Sequence, residues 1–381
     1  MKFVIDDKIP YIRGVFEPFG EVIYLPGKET TPEIVKDADG LITRTRTICN
    51  ERLLKGSSVR YIATATIGFD HLDLQYCEQA GIQWSNAPGC NSGSVQQYIA
   101  SVLMILAKNN NWNLREKTIG IVGVGHVGSG VERLCRLLGM RILLNDPPRA
   151  RTEGSKNFVS LQTICEEADL ISFHVPLNKS GIDKTFHMVD ARFIEQLNQK
   201  PILLNTCRGE VFDTQVIKKA LSERIIRGTV IDCWEHEPGI DKELVTASEL
   251  ISPHIAGYSK DGKANGTTAS VRAISRFFHL GIDNWEASGV GVPDQTIIEL
   301  DGFNVEEQEL LAKAIIFTYD IRQDDQRLRN RLNDFEQLRG NYPLRREFPV
   351  YTIKGKNLSK DVTDKFKQLG FQIAQPDDKI N

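Results

Sequence analysis

The sequence predicts an α/β protein built on two parallel sheets, followed by a smaller α+β unit. Three observations carry that expectation. Short β-rich runs alternate with helical periodicity through most of the 381 residues, the pattern of strands joined by helical crossovers. A glycine-rich loop, Gly123-Val124-Gly125-His126-Val127-Gly128, stands between one such strand and a helix. Beyond Gly289-Val290-Gly291 the composition shifts, and mixed charge becomes dense from Asp320 to Arg346. The chain is too long for one typical core, so two or three domains are expected.

Taken in order, strands are expected at 3–6, 40–43, 61–65 and 83–85, forming an N-terminal α/β unit. Val95, Ile99, Val102, Leu103 and Leu106 then recur at helical spacing and predict a long helix leading into the next domain. A second sheet draws on 118–122, 141–145, 170–174, 202–206 and 228–232, with a sixth strand at 250–252 ending against Pro253. Another helix covers about 262–280. In the tail, Asn304 as N-cap with Glu307 three residues on reads as a capping box. Leu310, Leu311, Ala314 and Ile315 would line the apolar face of the helix it opens.

Bulk properties narrow the partners. A net charge of -3 and a pI near 6.2 exert no general pull toward nucleic acid or anionic membranes. Asp6 and Asp7 interrupt the apolar start, so no signal-peptide core is expected there. No run approaches the ~18 apolar residues of a membrane span. The 7 cysteines contain no C-x-x-C pair, which argues against both a disulfide framework and a zinc site. The expectation is a cytoplasmic protein with no metal, nucleic-acid or membrane partner.

The glycine loop has the context of a dinucleotide site. Its glycines allow a tight turn, close approach of backbone to pyrophosphate, and close helix–strand packing. The helix that follows presents unpaired N–H groups and a positive dipole end to phosphate. Gly123, Gly125, His126, Val127 and Gly128 are therefore candidate cofactor residues. Asp146 ends the next strand about 20 residues on, where a carboxylate can hold both ribose hydroxyls of NAD and repel a 2′-phosphate. NAD is favoured over NADP.

Three residues downstream fall in a telling order: Arg208, Glu237 and His254. A guanidinium after a strand end can clamp a carboxylate bidentately and favour the charge developing on a neighbouring oxygen. A histidine titrates near neutrality and can take a hydroxyl proton. An acid on its other ring nitrogen sets the tautomer and stabilises imidazolium. Together they suit hydride exchange at a 2-hydroxy acid. Asp232, at the preceding strand end, is a candidate for the nicotinamide side of the cofactor or for capping the following turn. The other six histidines are given structural or solvated roles.

The words Asn205-Thr206-Cys207-Arg208-Gly209, Asp232-Cys233-Trp234-Glu235-His236-Glu237-Pro238 and Pro253-His254-Ile255-Ala256-Gly257 resemble signatures of the D-isomer-specific 2-hydroxyacid dehydrogenases. The resemblance implies two Rossmann-like domains, a substrate domain at 1–92 and 257–287 and an NAD domain at 93–256. It also implies a C-terminal dimerisation domain at 288–381, and hence a homodimer. Further words, such as 64–71, 87–91, 146–149, 319–322 and 341–347, are similar to one branch of that family. That branch oxidises 4-phospho-D-erythronate at C2 in the making of pyridoxal 5′-phosphate. By the same resemblance Thr45, Thr66 and Tyr258 match substrate contacts, and Gly257 and Val175 cofactor positions. Thr45 replaces a more usual serine, and Val175 stands where a threonine is expected. Two alternatives share the trio: a 3-phosphoglycerate dehydrogenase, and an NAD-sensing co-repressor that binds peptides. Arg44, Arg46, Arg345 and Arg346 are the cations considered for the distal phosphate.

Overall fold

A computed structural model describes residues 1–374 of the chain; the last seven residues of the expected third domain lie outside the described residues. Two compact units emerge, Met1–Asn91 with Ser259–Gly291, and Ser92–Tyr258 with Val292–Asn381. The C-terminal segment is thus grouped with the second unit.

In the first unit, β1 (Lys2–Asp6), β2 (Glu21–Leu25), β3 (Gly40–Thr43), β4 (Tyr61–Thr64) and β5 (Gln83–Ser85) form a parallel sheet in the order β2-β1-β3-β4-β5. The central strands β3 and β4 are buried along their whole length, as a sheet covered on both faces requires. Val271 and Ile274, on the helix Lys260–Phe278, join Phe3, Ile5 and Ile42 in the core on one face. Strand β2 is not among the expected strands. It is a half-exposed edge strand, although Val22, Ile23, Tyr24 and Leu25 form an apolar run of strand length.

The second unit holds a six-stranded parallel sheet, β6 (Thr118–Val122), β7 (Arg141–Asn145), β8 (Leu170–Phe173), β9 (Ile202–Asn205), β10 (Gly228–Ile231) and β11 (Leu250–Ile251). Its order is β11-β10-β9-β8-β6-β7. Because β6 pairs with β7 on one side and β8 on the other, the order reverses there, and the loop after β6 lies where open α/β sheets bind ligands. The long helix Ser92–Asn110 belongs to this unit.

A third parallel sheet, β12 (Ile297–Asp301), β13 (Thr352–Lys356) and β14 (Gln372–Ile373), lies in the C-terminal segment. The expected α/β class with two parallel sheets and a small α+β element therefore holds. The segment is not a free-standing appendage. Leu310, Leu311, Ala314 and Ile315 share one hydrophobic cluster with Val102, Leu103, Leu106 and Leu134. Leu328 and Phe335 join a second cluster with Trp234, Phe173 and Ile251. On the helix Ile321–Asn330, the Asp325 carboxylate accepts the N–H of Ile251 at 2.9 Å. Arg329 donates to the carbonyls of Val245 and Ser248 at 2.6 and 2.8 Å. These contacts cover the β11 edge, whose backbone groups would otherwise be left unpaired.

The capping box at Asn304 does not form. The helix starts at Glu307 with Glu306 as N-cap, while Asn304 takes the left-handed conformation at φ 53°. A short polar side chain tolerates that conformation, and the turn it makes delays the helix by two residues.

Candidate active site

The carboxyl ends of three neighbouring strands, β9, β10 and β11, hold the expected trio. At the end of β9, the Asn205 carbonyl accepts the N–H of Asp232 at 3.0 Å. Its side-chain Nδ2 donates to the Arg208 carbonyl at 2.9 Å, and its Oδ1 accepts the Cys207 N–H at 3.1 Å. One asparagine therefore fixes the turn that carries Arg208 and ties it to the next strand end. Gly209 follows with its α-carbon against the Trp234 and Glu235 backbone, where no side chain could fit. The half-buried Arg208 guanidinium is oriented by donating to the Cys207 carbonyl at 2.8 Å.

Past β10, Asp232 is almost fully buried, at 1% exposure. Its Oδ1 accepts from Ser252 Oγ at 2.6 Å and from the Ile255 N–H at 2.7 Å; its Oδ2 accepts the Ala256 N–H at 3.0 Å. Asp232 thus caps the turn that follows β11. His254 sits at the head of that turn with φ 56°, a left-handed conformation costly for a histidine. The Asp232 carbonyl also accepts the His254 N–H at 2.8 Å, so one residue holds the strained histidine from both sides.

His254 Nδ1 lies 3.0 and 2.9 Å from the two Glu237 carboxylate oxygens. Glu237 also accepts the Trp234 N–H at 2.9 Å. Burial pushes this carboxyl toward a higher pKa, but the His254 charge and hydrogen bond, the Trp234 N–H and Arg339 together hold it below the usual carboxylate range. With Nδ1 engaged, Nε2 is the ring nitrogen left for proton exchange.

The glycine loop fits a dinucleotide. Gly123 has φ 87°, and a Cβ there would lie 2.8 Å from the His174 backbone and from Val175. Gly128 packs against the Gly123 carbonyl. A Cβ on the exposed Gly125, by contrast, would meet nothing within 4 Å. Gly125 is the N-cap of the helix His126–Leu137 and supplies no side-chain cap, so the first-turn N–H groups around His126 and Val127 face outward as an anion site would need. Asp146 Oδ2 accepts the Val124 N–H at 2.8 Å, which fixes its carboxylate beside the loop. Arg149, the nearby cation, is committed to Glu153 at 2.7 Å and to the Val124 carbonyl at 2.6 Å. Val175 is buried and offers no side-chain donor.

The remaining site candidates divide between the units. Gly257 and Tyr258 follow His254 in the second unit and are half-buried. In the first unit Thr45 is exposed, whereas the Thr66 hydroxyl meets Thr64 Oγ1 at 2.9 Å and donates to the Gly68 carbonyl at 2.8 Å. Arg345 cannot serve a phosphate. It is 4% exposed, donates to Gln97 and to the Ser94, Ile255 and Ala256 carbonyls, and stacks 3.8 Å above Tyr319.

Erythronate-4-phosphate dehydrogenase of Bacteroides thetaiotaomicron is 51% identical to the chain, across 93% of the chain and 99% of the relative. The enzymes of the same name from Porphyromonas gingivalis and Escherichia coli O157:H7 are each 40% identical over 93% of the chain, covering 96% and 94% of those relatives. The chain belongs to the erythronate-4-phosphate dehydrogenase family. Residues 104–256 match the D-isomer specific 2-hydroxyacid dehydrogenase, NAD binding domain, and residues 292–370 match a domain of unknown function. The cofactor of this family member is NAD. Among solved structures, an NAD-bound 3-phosphoglycerate dehydrogenase of Entamoeba histolytica aligns with a TM-score of 0.62 at 26% identity, over 76% of the chain and 98% of its own length. D-lactate dehydrogenase of Aquifex aeolicus, complexed with NAD and lactic acid, gives 0.63 at 24% identity over 74% of the chain and 96% of its own, which bears on the fold.

Sequence reasoning missed Ser252 and Arg339, and it considered Arg345 for the phosphate although its guanidinium is buried. Ser252 carried a signal, since it directly precedes the Pro-His word. Arg339 carried none, because the groups it serves, Tyr258 and Glu237, lie on segments far from it in the sequence.

Proposed function

We propose that this dehydrogenase oxidises 4-phospho-D-erythronate at C2, giving 3-hydroxy-2-oxo-4-phosphobutanoate on the way to pyridoxal 5′-phosphate. The observation that carries the chemistry is the Glu237–His254 pair, with Nδ1 held by both carboxylate oxygens. Arg208 clamps the substrate carboxylate and orients C2. His254 Nε2 accepts the C2 hydroxyl proton, and Glu237 stabilises the imidazolium that results. Bound NAD would supply the hydride acceptor. In the reverse direction imidazolium returns the proton. Asp232 acts by holding the His254 turn.

The glycine loop, through Gly123, Gly125, His126, Val127 and Gly128, would cradle the pyrophosphate, with Asp146 on the adenosine ribose. Gly257 and Val175 are assigned to the same cofactor. Thr45, Thr66 and Tyr258 are assigned to the substrate. Arg44 and Arg46, half-buried and exposed respectively, and Arg346 remain the cations for the distal phosphate. We further propose a homodimer through the C-terminal segment, where Phe303, Phe317 and Leu344 are exposed apolar side chains, and the cytoplasm as its compartment. The relatives' names do not favour the 3-phosphoglycerate or co-repressor readings.

Initial rates of NADH formation with 4-phosphoerythronate, 3-phosphoglycerate and unphosphorylated erythronate test the substrate. The expected result is a clear preference for the first. Equal or better use of 3-phosphoglycerate would overturn the assignment, and no turnover with any would favour a binding protein.

A further inference from the structure

The C-terminal segment delivers a cation to the acid–histidine pair. Arg339 lies on the helix Phe335–Gly340, anchored by Phe335 in the cluster that contains Trp234. Its Nη1 is 3.7 Å from Glu237 Oε2, and its Nη2 donates to the Tyr258 hydroxyl at 3.1 Å. The guanidinium carbon sits 5.6 Å from the Tyr258 ring centre and 5.9 Å from that of Phe335. The side chain is only 24% exposed, and Nε is buried without a hydrogen-bond partner among the described residues. Leaving a buried guanidinium donor unsatisfied is costly, so a purely structural role explains this placement poorly.

We propose that Arg339 is a positioning residue that sets the charge balance of the Glu237–His254 pair and orients Tyr258, making the C-terminal segment part of the reacting centre. The inference rests on the acid–base roles assigned above. Its physics is that of two cations facing one anion. With His254 neutral, Arg339 and Glu237 balance. Once the imidazole is protonated, two positive charges share a single carboxylate, and the guanidinium opposes the second. Glu237 alone would favour the imidazolium, the form unable to accept the substrate proton. Arg339 therefore keeps His254 ready for oxidation, while Glu237 still supports the imidazolium formed in the reaction.

Further charged and polar groups surround this cluster. Asp232 and Cys233 are the further groups that face Arg339. The Asp232 carboxylate is wrapped by Ser252, Ile255 and Ala256. The Cys233 thiol is pushed up by burial and stays neutral. Arg208 faces Cys233 from the β9 side. Glu235, two residues from Glu237, is paired with His187 at 2.7 Å. Arg339 Nη1 lies in salt-bridge range of Glu237, on the same carboxylate that pairs with His254.

The test compares the acid limb of kcat/KM for 4-phosphoerythronate oxidation in the full-length protein and in Arg339→Gln, Arg339→Lys and Glu237→Gln. The Arg339→Gln limb should move to higher pH, raising the ratio of rates at pH 8 and pH 6 by about threefold or more. The Glu237→Gln limb should move the opposite way. Arg339→Lys should keep the parental limb but raise KM, because the charge survives while the fork to Tyr258 is lost. If Glu237→Gln shifts the limb and Arg339→Gln, folded by near-ultraviolet circular dichroism, does not, the Arg339 inference falls and the acid–base reading stands. If Glu237→Gln itself shifts nothing, the acid–base reading fails first. Should Arg339→Gln not fold, a displaced limb in Arg339→Lys overturns the inference and a parental one supports it.

Discussion

Asp232 holds His254 in place: its carbonyl accepts the His254 N–H at 2.8 Å, while its carboxylate takes the N–H groups of the next two residues. The proposed catalytic histidine is thus presented by a buried carboxylate one strand away, at the cost of a left-handed backbone angle. Of the two roles open to Asp232 from its sequence position, its oxygens are seen in the turn, and the nicotinamide contact is still a proposal.

Asp232→Asn tests this. The amide can accept from one side only, so one of the donors from Ser252, Ile255 or Ala256 would meet an N–H₂ group. The expected loss of stability is about 2–3 kcal/mol, with kcat reduced about tenfold or more as the ring drifts from its productive position. Denaturant unfolding and steady-state rates measure both. Parental stability with only NAD affinity weakened would instead assign Asp232 to the cofactor.

Asp146 should read the adenosine ribose. Its carboxylate is fixed by the Val124 and Arg149 N–H groups at 2.8 and 3.0 Å, and each oxygen retains a lone pair for a hydroxyl. Exchanging it for serine is expected to weaken NAD binding about tenfold and to narrow the preference over NADP. Fluorescence titration with both cofactors decides the matter. An undiminished NAD preference would mean that another group makes the distinction.

Acid sensitivity should be traceable to His174. Burial lowers its pKa to about 3, with Ser172 Oγ 2.9 Å from Nε2 and Thr206 Oγ1 3.3 Å from Nδ1. A depressed histidine value means that the unfolded chain binds the proton more readily. This contribution to stability is full above the ordinary histidine value of 6.5 and is lost as pH falls toward about 3. At pH 5 the loss is roughly 2 kcal/mol. His174→Gln should therefore show a flatter decline of Tm between pH 7 and 5 than the parent. An identical slope would place the acid sensitivity elsewhere.

Much of this site was legible because its parts are local words. The glycine loop, Asp146 and the segments around Arg208, Glu237 and His254 each sit at a strand end, and strand ends follow from periodicity and turn chemistry. What escaped was set by long-range packing. Arg339 and Arg345 stand in a stretch of mixed charge that looks solvated, yet the first faces Glu237 and the second is buried against Gln97 and Tyr319. Asn304 was misread for a different reason, since asparagine suits an N-cap and a left-handed turn alike.

The packing of the C-terminal segment argues against its being removable as a separate unit. Ile315 is fully buried in the cluster that also contains Val102, Leu103 and Leu134. Arg345 lies beneath the His254 turn with Nη1 3.3 and 3.4 Å from the Ile255 and Ala256 carbonyls. Truncation after residue 290 would expose that apolar face and strip donors from the turn, so aggregation and loss of activity are expected rather than an active monomer. Ile315→Ala isolates the first effect, with an expected cost of about 2–5 kcal/mol and little change in KM. Arg345→Met isolates the second. It removes a buried charge but leaves the carbonyls of Ser94, Ile255 and Ala256 short of a donor, so kcat should fall with every substrate, phosphorylated or not. Circular dichroism melts and rates on both forms of erythronate provide the measurement. A rise in KM confined to the phosphorylated acid, at parental stability, would return Arg345 to the phosphate site and overturn its placement beneath the turn.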